Sequence, residues 1–316
     1  MDAERHGTAA RSLRGADPDR HRRRGVRPAC RETRRMKRRD FLALGATAFA
    51  ATARPVRAAQ SRVVCVGGAI TECVYALGME RVIVGADTTS LYPPVAQRLP
   101  RVGYQRALSA EGLLSLAPDL ILASDDAGPP AVVTQIKGAG IRWITLPAAH
   151  TPAAPADKLR AIGAALGQAE RATVRIRQYE TEWQRTATQI AGLPGRPRAV
   201  FVMAHGGPVL NLAGRGTAAD AMLALAACDN ALDFEGYKTI SAEALSAAAP
   251  EVVVTTQQSV DGLGGPDALL SRPGLADTPA AKARRVCTFD GLFLLGFGPR
   301  LPQAVARLAQ RTRGQA

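Results

Sequence analysis

Along this chain, short apolar runs alternate with stretches in which apolar residues recur three and four positions apart. The second pattern predicts helices with one buried face. The first predicts strands of buried parallel sheets, because the runs are rich in Val, Ile and Leu. Strands alternating with helices are typical of α/β domains. The predicted strands lie at 63–66, 81–85, 120–123, 141–146, 199–203, 252–256 and 286–289.

One unit of this pattern occurs twice. The first copy begins at Ser109 with SAEGLLSLAPDLILAS, and the second begins at Ser241 with SAEALSAAAPEVVVTT. In each copy the serine is suited to cap a short helix, the proline ends it, and a β-rich run follows. Two copies of one supersecondary unit predict two similar lobes.

The longest helical pattern covers residues 157–190, with a predicted break at Gly167. The part after this break would be about 34 Å long at 1.5 Å per residue. The predicted fold class is therefore α/β, with two α/β lobes, a central ligand cleft between them and one long bridging α-helix. We expect a leader at 1–58, an N-terminal lobe at 59–167, the bridging helix at 168–193 and a C-terminal lobe at 194–316.

The strong positive charge belongs to the leader. Residues 1–58 hold 16 Lys or Arg and 6 Asp or Glu, so +10 of the formal charge of +14 lies there and +4 remains for all later residues. The remainder has few aromatic residues and no basic stripe. We therefore expect no nucleic-acid partner.

Residues 36–58 are typical of a twin-arginine export signal. The sequence KRRD at 37–40 precedes a short Ala-rich apolar stretch, and VRA at 56–58 forms a small-residue cleavage site. The apolar stretch is too short to span a bilayer. We expect translation to begin at Met36, with the upstream text a wrongly assigned extension or a disordered tail. No cysteine suited to lipid attachment follows, so the expected location is the periplasm without a lipid anchor.

Four cysteines follow the leader without the close pairing of a zinc site. We expect them to be buried as small apolar side chains, with a disulfide as the alternative in an oxidising compartment. They are Cys65, Cys73, Cys228 and Cys287.

A Gly-Tyr pair precedes each copy of the repeat, and the first is the stronger chemical candidate. Tyr104 is followed two residues later by Arg106. A deprotonated tyrosine oxygen is a hard anionic ligand that ferric haem accepts. A neighbouring guanidinium would favour the phenolate and could pair with a propionate. The alternative is that Tyr104 is a loop aromatic that packs on its own lobe.

Three segments carry a family resemblance: VVCVGGAITECVYALGMERVIVGAD, VGYQRALSAEGLLSLAPDLILAS and FEGYKTISAEALSAAAPEVVV. They resemble the haemin-binding periplasmic proteins of bacterial haem ABC importers, over residues 61–312. The lobe architecture is shared with ferric-siderophore and cobalamin binding proteins. The motif Gly-Tyr-x-Arg before Leu-Ser-Ala-Glu is more specific to the haem-binding members.

The resemblance implies roles for particular residues. Tyr104 would be the axial ligand of the haem iron, and Arg106 would lie near a propionate. Glu111 and Glu243, at matched helix starts, would dock onto the two permease subunits of an importer with its ATPase. Carboxylates also favour helix N-termini for electrostatic reasons alone, so a purely structural role stays open. An outer-membrane haem receptor is a further expected partner upstream.

Two histidines remain in the mature chain, His150 and His205. His205 follows the strand predicted at 199–203 and would face the cleft. Some relatives use a histidine of the second lobe on the haem iron, which makes His205 the candidate second ligand. The alternative is a structural histidine.

Other residues are candidates for the cleft wall. Tyr237 precedes the second copy of the repeat as Tyr104 precedes the first. Phe293 and Phe297 lie in an apolar loop expected at 292–298. Asp125 and Asp126 follow a strand, where we expect an exposed helix cap rather than a ligand.

The resemblance also exposes one departure. Relatives tend to carry an arginine near the position of Gln258 that meets a propionate, and this chain has glutamine there. Arg215 and Lys238 are the candidate substitutes.

The sequence therefore predicts a periplasmic substrate-binding protein that captures haem as its transported ligand and catalyses no reaction. A ferric-siderophore or cobalamin carrier of the same class is the first alternative. An exported cofactor enzyme is the second, although the sequence offers no catalytic triad or cluster motif.

Overall fold

The computed structural model describes residues 61–204 and 209–315. The N-terminal part contains six strands and three helices among these residues, with 3₁₀ turns at Glu80–Val82 and Pro94–Arg98. The elements are β1 (Val63–Val66), α1 (Gly68–Ala76), β2 (Ile83–Ala86), β3 (Gly103–Tyr104), β4 (Ala107–Leu108), α2 (Ala110–Leu114), β5 (Leu120–Ser124), α3 (Pro130–Gly138) and β6 (Arg142–Leu146).

Four of these strands form a parallel sheet in the order β2-β1-β5-β6. The sheet is covered on both faces. Val63 and Cys65 face a core that includes residues of α1, while Val64 and Val66 face the side covered by α2 and α3. This double burial explains why the strand sequences are continuously apolar.

Two helices lead to the second lobe: α4 (Ala154–Ala165) and α5 (Ala169–Ala191). The predicted break is confirmed, since Gly167 has φ +66°, a left-handed conformation that favours glycine. The buried side of α5 is formed by Ala172, Ile176, Tyr179, Thr186 and Ile190. The apolar side chains among these belong to a hydrophobic core that also includes residues of both lobes. The helix is therefore packed against the lobes rather than free-standing between them.

The C-terminal part contains a second sheet. Its elements are β7 (Arg198–Met203), β8 (Asn211–Ala213), α6 (Ala218–Leu225), β9 (Asp229–Asn230), β10 (Tyr237–Lys238), α7 (Ala242–Ala247), β11 (Val252–Thr256), α8 (Gln257–Leu263), α9 (Pro266–Leu270), α10 (Pro279–Lys282), β12 (Val286–Phe289), α11 (Gly291–Leu295) and α12 (Leu301–Arg311). The strand order is β10-β8-β7-β11-β12, with β9 paired to β7. Strands β7, β11 and β12 are parallel, whereas β8 and β10 are antiparallel additions at the edge.

The two copies of the repeat adopt the same local structure. The Ser109 hydroxyl accepts a hydrogen bond from the Gly112 amide, and the Ser241 hydroxyl accepts one from the Ala244 amide. In both copies the alanine directly before the proline has a positive φ, 41° in the first and 44° in the second. The predicted α/β fold class and the internal repeat are confirmed.

Some element boundaries differ from prediction. Strand β2 begins at Ile83 rather than at residue 81, because residues 80–82 form a 3₁₀ turn. The expected loop at 292–298 contains part of the short helix α11. The four cysteines are buried and form no disulfide bond, as predicted for small buried side chains. No helix of the described residues is long and apolar enough to cross a membrane.

Candidate functional site

A cleft of about 920 Å³ lies between the two lobes. Residues at the carboxyl ends of parallel strands line it from both sides, namely Gly67 after β1, Ser124 in β5, Ala204 after β7 and Thr256 in β11. Such strand ends are where α/β sheets bind ligands. The volume falls in the upper part of the range for small-molecule sites.

Tyr104 lies in a small hairpin at this cleft. Strand β3 pairs antiparallel with β4, which places Tyr104 opposite Ala107. Gly103 has φ +97°, and a Cβ atom there would come within 3.1 Å of the Ala107 carbonyl oxygen. The glycine before the tyrosine is therefore required by the turn. Tyr104 is 43% exposed and lines the cleft.

Hydrogen bonds and one ion pair connect the side chains at the tip of this hairpin with Asp126. Arg106 Nη1 donates to Tyr104 Oη at 3.0 Å, and Arg106 Nη2 forms an ion pair with the Asp126 carboxylate. Gln105 Nε2 donates to Asp126 Oδ2 at 3.1 Å. Burial opposes the charge on Arg106, but Asp126 and Tyr104 together outweigh it, and the pKa of Arg106 is raised. The guanidinium is thus a fixed cation beside the phenol oxygen.

The expectation that Asp125 and Asp126 cap a helix is wrong. Helix α3 begins later, with Pro129 at its N-cap position. Asp126 instead forms an ion pair with Arg106, which lies in the hairpin 20 residues earlier in the chain.

Lys158 is a second cation in the cleft wall, and no sequence pattern singled it out. It lies on α4, is 5% exposed, and donates from Nζ to the Phe297 carbonyl oxygen at 3.3 Å. Burial lowers the pKa of Lys158, with Asp125 and Asp157 among the groups that act in the opposite direction. A lysine on a helix is ordinarily solvated, so only the tertiary structure reveals its burial.

His150 lies near Lys158 in the cleft wall. Its ring centroid is 5.2 Å from that of Phe297. Partial burial and then the charge of Lys158 lower the pKa of His150, and Asp125 and Asp126 oppose them. The imidazole is therefore neutral at physiological pH.

The acidic and basic side chains of the cleft lie on one wall. Among the residues the structure describes, they belong to the N-terminal lobe: Arg106, Asp126, His150 and Lys158. The facing wall offers hydroxyl, amide and backbone groups, including Thr217, Tyr237, Thr256, Gln258 and Ser259. An anionic ligand would meet its countercharges on the first wall.

Tyr237 lines the facing wall in a different environment from that of Tyr104. It belongs to β10, which pairs with β8 at the sheet edge. Burial of the phenol group raises the pKa of Tyr237, while the Thr217 hydroxyl, the Ala219 backbone and the charge of Arg106 lower it in part. Tyr237 shares this part of the wall with Thr217 and Ala218, at the start of α6.

Apolar side chains form the rest of the cleft surface. Ile70 and Leu91 contribute from the N-terminal lobe, and Leu292, Leu295 and Phe297 from the C-terminal lobe. A flat apolar ligand would be covered on both faces.

Phe293 does not line the cleft, although its apolar surroundings predicted that it would. Its ring packs beneath guanidinium groups instead, with the Arg300 carbon 5.0 Å and the Arg307 carbon 5.7 Å from the ring centre.

The two candidate substitutes for the missing arginine also lie outside the cleft lining. Arg215 is exposed and pairs with Glu235 at 3.2 Å. Lys238 Nζ lies 5.6 Å from the centre of the Phe234 ring. Each cation is exposed and lies beside a neighbour on its own lobe.

Glu111 and Glu243 occupy the first turns of α2 and α7, and both are exposed. The pKa of Glu243 is lowered by its own backbone amide and by Ser241. His205 and the leader at 1–58 lie outside the described residues, so their predicted roles stay predictions.

An ion pair between Arg300 and the buried carboxylate of Glu72 joins the two lobes. Arg300 Nε donates to Glu72 Oε2 at 2.9 Å and Arg300 Nη2 donates to Glu72 Oε1 at 2.5 Å, while the guanidinium carbon lies 3.6 Å from the Tyr92 ring centre. Burial raises the pKa of Glu72 and Arg300 opposes the rise. The partners are 228 residues apart in the chain, so no local pattern could have predicted the pair.

The comparisons with known proteins agree with this geometry. The sequence model of a family described as periplasmic binding protein matches residues 63–291. The chain is similar to the solved periplasmic haem-binding protein BhuT in complex with two haems, at 45% identity and a TM-score of 0.78, covering 80% of this chain and 98% of that one. The apo haem-binding protein RhuT from Roseiflexus sp. RS-1 is 38% identical, with a TM-score of 0.78 and the same coverage.

Among curated sequences, an uncharacterised ABC transporter substrate-binding lipoprotein, YvrC of Bacillus subtilis, is 28% identical over 246 residues. The match covers 76% of each chain.

Proposed function

This chain belongs to the periplasmic binding protein family, and from that membership we propose that it captures ferric haem and delivers it to an inner-membrane ABC importer. The observation that carries the proposal is the contact between Tyr104 Oη and Arg106 Nη1 at the cleft between the lobes. It lies in a chain that is 45% identical to a solved periplasmic haem-binding protein.

Tyr104 is proposed as the axial ligand of the iron. A phenolate oxygen is one of the protein ligands that haem iron accepts. Arg106 compensates the negative charge of that oxygen through its hydrogen bond, and its remaining donors are available to a propionate. The apolar side chains of both walls supply contacts to the porphyrin faces.

His205 is proposed as a second iron ligand from the C-terminal lobe. It follows Ala204, which lines the cleft at the end of β7. Replacement of His205 by Ala should shift the Soret and visible bands of bound haem, because the iron loses one ligand, and should leave the tyrosinate charge-transfer band in place. An unchanged spectrum would remove His205 from the iron.

The protein is proposed to act without catalysis and without a lipid anchor, after export by the twin-arginine signal at 36–58. The similar Bacillus protein is described as a lipoprotein, and the proposed free form of this chain would differ from it. Replacing Arg38 and Arg39 together by lysine tests the signal, because lysine keeps the charge and removes the arginine pair. Cell fractionation should then show loss of the periplasmic protein, and an undiminished periplasmic fraction would contradict this export route.

Glu111 and Glu243 are proposed to dock onto the two permease subunits, with the ATPase on the cytoplasmic side and an outer-membrane haem receptor upstream. Both carboxylates are exposed at matched helix starts. The double replacement by Ala should leave haem affinity unchanged and abolish uptake. Loss of haem affinity itself would contradict the docking role.

A titration with haemin tests the main proposal. The expected result is a saturable Soret shift with the charge-transfer band of a high-spin tyrosinate haem. Binding of cobalamin or a ferric siderophore without a haemin spectrum would favour the alternative carriers. Turnover of a bound redox cofactor would favour the enzyme alternative.

A further inference from the structure

The cleft lacks a second cation at the place where the family resemblance predicts one. Glutamine stands at 258, and the candidate substitutes Arg215 and Lys238 do not belong to the cleft lining. Arg106 already forms an ion pair with Asp126. A ligand with two carboxylates would need another positive group.

Lys158 has the properties of such a cation. Its side chain is buried on the charged wall, yet its ammonium group makes one long hydrogen bond, to the Phe297 carbonyl oxygen at 3.3 Å. An ammonium group has three donors. Within residues 61–204 and 209–315, no carboxylate forms an ion pair with it.

This arrangement is costly in the absence of an anion. A buried charge is normally paired, because desolvation must be offset by a countercharge or by several hydrogen bonds. The Cys73 thiol near Lys158 has its pKa raised to about 12 by burial, so it is neutral and offers no countercharge. His150 near Lys158 adds a neutral ring that can donate a hydrogen bond to an anion.

We propose that Lys158 Nζ, with His150 beside it, binds a carboxylate of the transported ligand on the charged wall of the cleft. The inference rests on the proposed function, under which this carboxylate is one propionate of haem and Arg106 meets the other. Lys158 would then replace the missing arginine near Gln258 from the opposite lobe.

The competing explanation is structural. Lys158 lies on α4 and its acceptor belongs to the turn after α11, so the hydrogen bond could serve simply to join the lobes. The two explanations differ in their consequences for the ligand-free protein. A structural link would make Lys158→Met less stable, whereas a buried cation that lacks its anion predicts equal or higher stability on its removal.

The test compares haemin with haemin dimethyl ester, in which both propionates are uncharged. Wild type, Lys158→Met, Lys158→Arg and the control Lys137→Met, an exposed lysine on α3, are titrated with each ligand at the Soret band. Lys158→Met should lose about tenfold in haemin affinity, the lower end of the value of a hydrogen bond to a charged group, and less than about twofold in ester affinity. Lys158→Arg should retain the preference for haemin, and Lys137→Met should match wild type.

Thermal unfolding of the ligand-free variants completes the experiment. An equal loss of affinity for both ligands, or a lower melting temperature with the preference for haemin intact, would overturn the carboxylate role. If wild type gives no Soret shift with haemin, the proposed function itself fails. If wild type binds through Tyr104 but Lys158→Met keeps the full preference over the ester, this inference alone fails.

Discussion

The two walls of the cleft share a scaffold and differ in chemistry. Both are built on a Gly-Tyr pair, a serine-capped helix and a parallel strand. Tyr104 and Tyr237 are even similarly exposed, at 43% and 41%. Yet the Tyr104 hydroxyl accepts a hydrogen bond from a guanidinium, whereas Tyr237 lines the cleft beside Thr217 and Ala218 at the start of α6.

The difference arises in the few residues between tyrosine and serine. Tyr104 stands in a local hairpin, where Arg106 can fold back onto the phenol oxygen. Tyr237 is part of β10 and is held by the sheet edge, and the residue two positions later is Thr239. An internal repeat thus reproduces a fold more faithfully than it reproduces a site.

The largest expected effect is on the free energy of unfolding, at the ion pair between Glu72 and Arg300 that joins the two lobes. Arg300→Met should lower the free energy of unfolding by about 3 kcal/mol, because it leaves the buried Glu72 carboxylate without its partner. Urea unfolding measures the change. Arg307→Met, which removes an exposed neighbour of Phe293, should cost under about 0.5 kcal/mol. Equal costs for the two variants would show that the ion pair does not join the lobes.

The next effect distinguishes the cation beside Tyr104 from an exposed cation of the other lobe that lies outside the cleft lining. Arg106→Met should reduce haemin affinity about tenfold, since outer partners of metal ligands typically contribute that much. Arg215→Met should change it less than about twofold, because Arg215 is exposed and pairs with Glu235. Soret titrations of both variants provide the comparison, and a larger loss for Arg215 would move the propionate site to the other lobe.

A smaller effect tests the shared scaffold. Ser109→Ala and Ser241→Ala should each cost about 1 kcal/mol of stability, because each removes an N-cap hydrogen bond. The two losses should be alike in urea unfolding, unlike the effects on haemin affinity. A cost confined to one copy would contradict the structural equivalence of the repeats.

The smallest effect is a pH dependence on the charged wall. Because the pKa of His150 is lowered on folding, the unfolded chain binds more protons between the folded value and the ordinary value of 6.5. Stability should therefore rise with pH through this interval and be lost as pH falls below 6.5. His150→Gln should flatten the profile in urea unfolding between about pH 5 and 7.5, and a profile unchanged from wild type would exclude His150 as its source.

Local patterns predicted the scaffold well and the site in part. The serine caps, the glycine break before α5 and the α/β class follow from short-range rules, because each depends on neighbouring residues. The contact of Arg106 with Asp126, the burial of Lys158 and the pairing of Glu72 with Arg300 depend on chain segments that meet only in the folded protein.

Phe293 shows the limit of reasoning from apolar surroundings. The apolar run that contains it does reach the cleft, through Leu292 and Phe297. The Phe293 ring instead lies against Arg300 and Arg307, which come later in the chain. The pattern within the apolar run could not predict these contacts.

The two tyrosines precede copies of the same helix-strand unit, and we propose that only Tyr104 ligates the haem iron. Soret titration of Tyr104→Phe beside Tyr237→Phe tests it most directly. We expect Tyr104→Phe to lose the tyrosinate charge-transfer band and at least about 100-fold in haemin affinity, beyond the usual loss for an outer partner, while Tyr237→Phe stays within about threefold of wild type. Retention of the band and the affinity in Tyr104→Phe, or an equal loss in both variants, would contradict the claim.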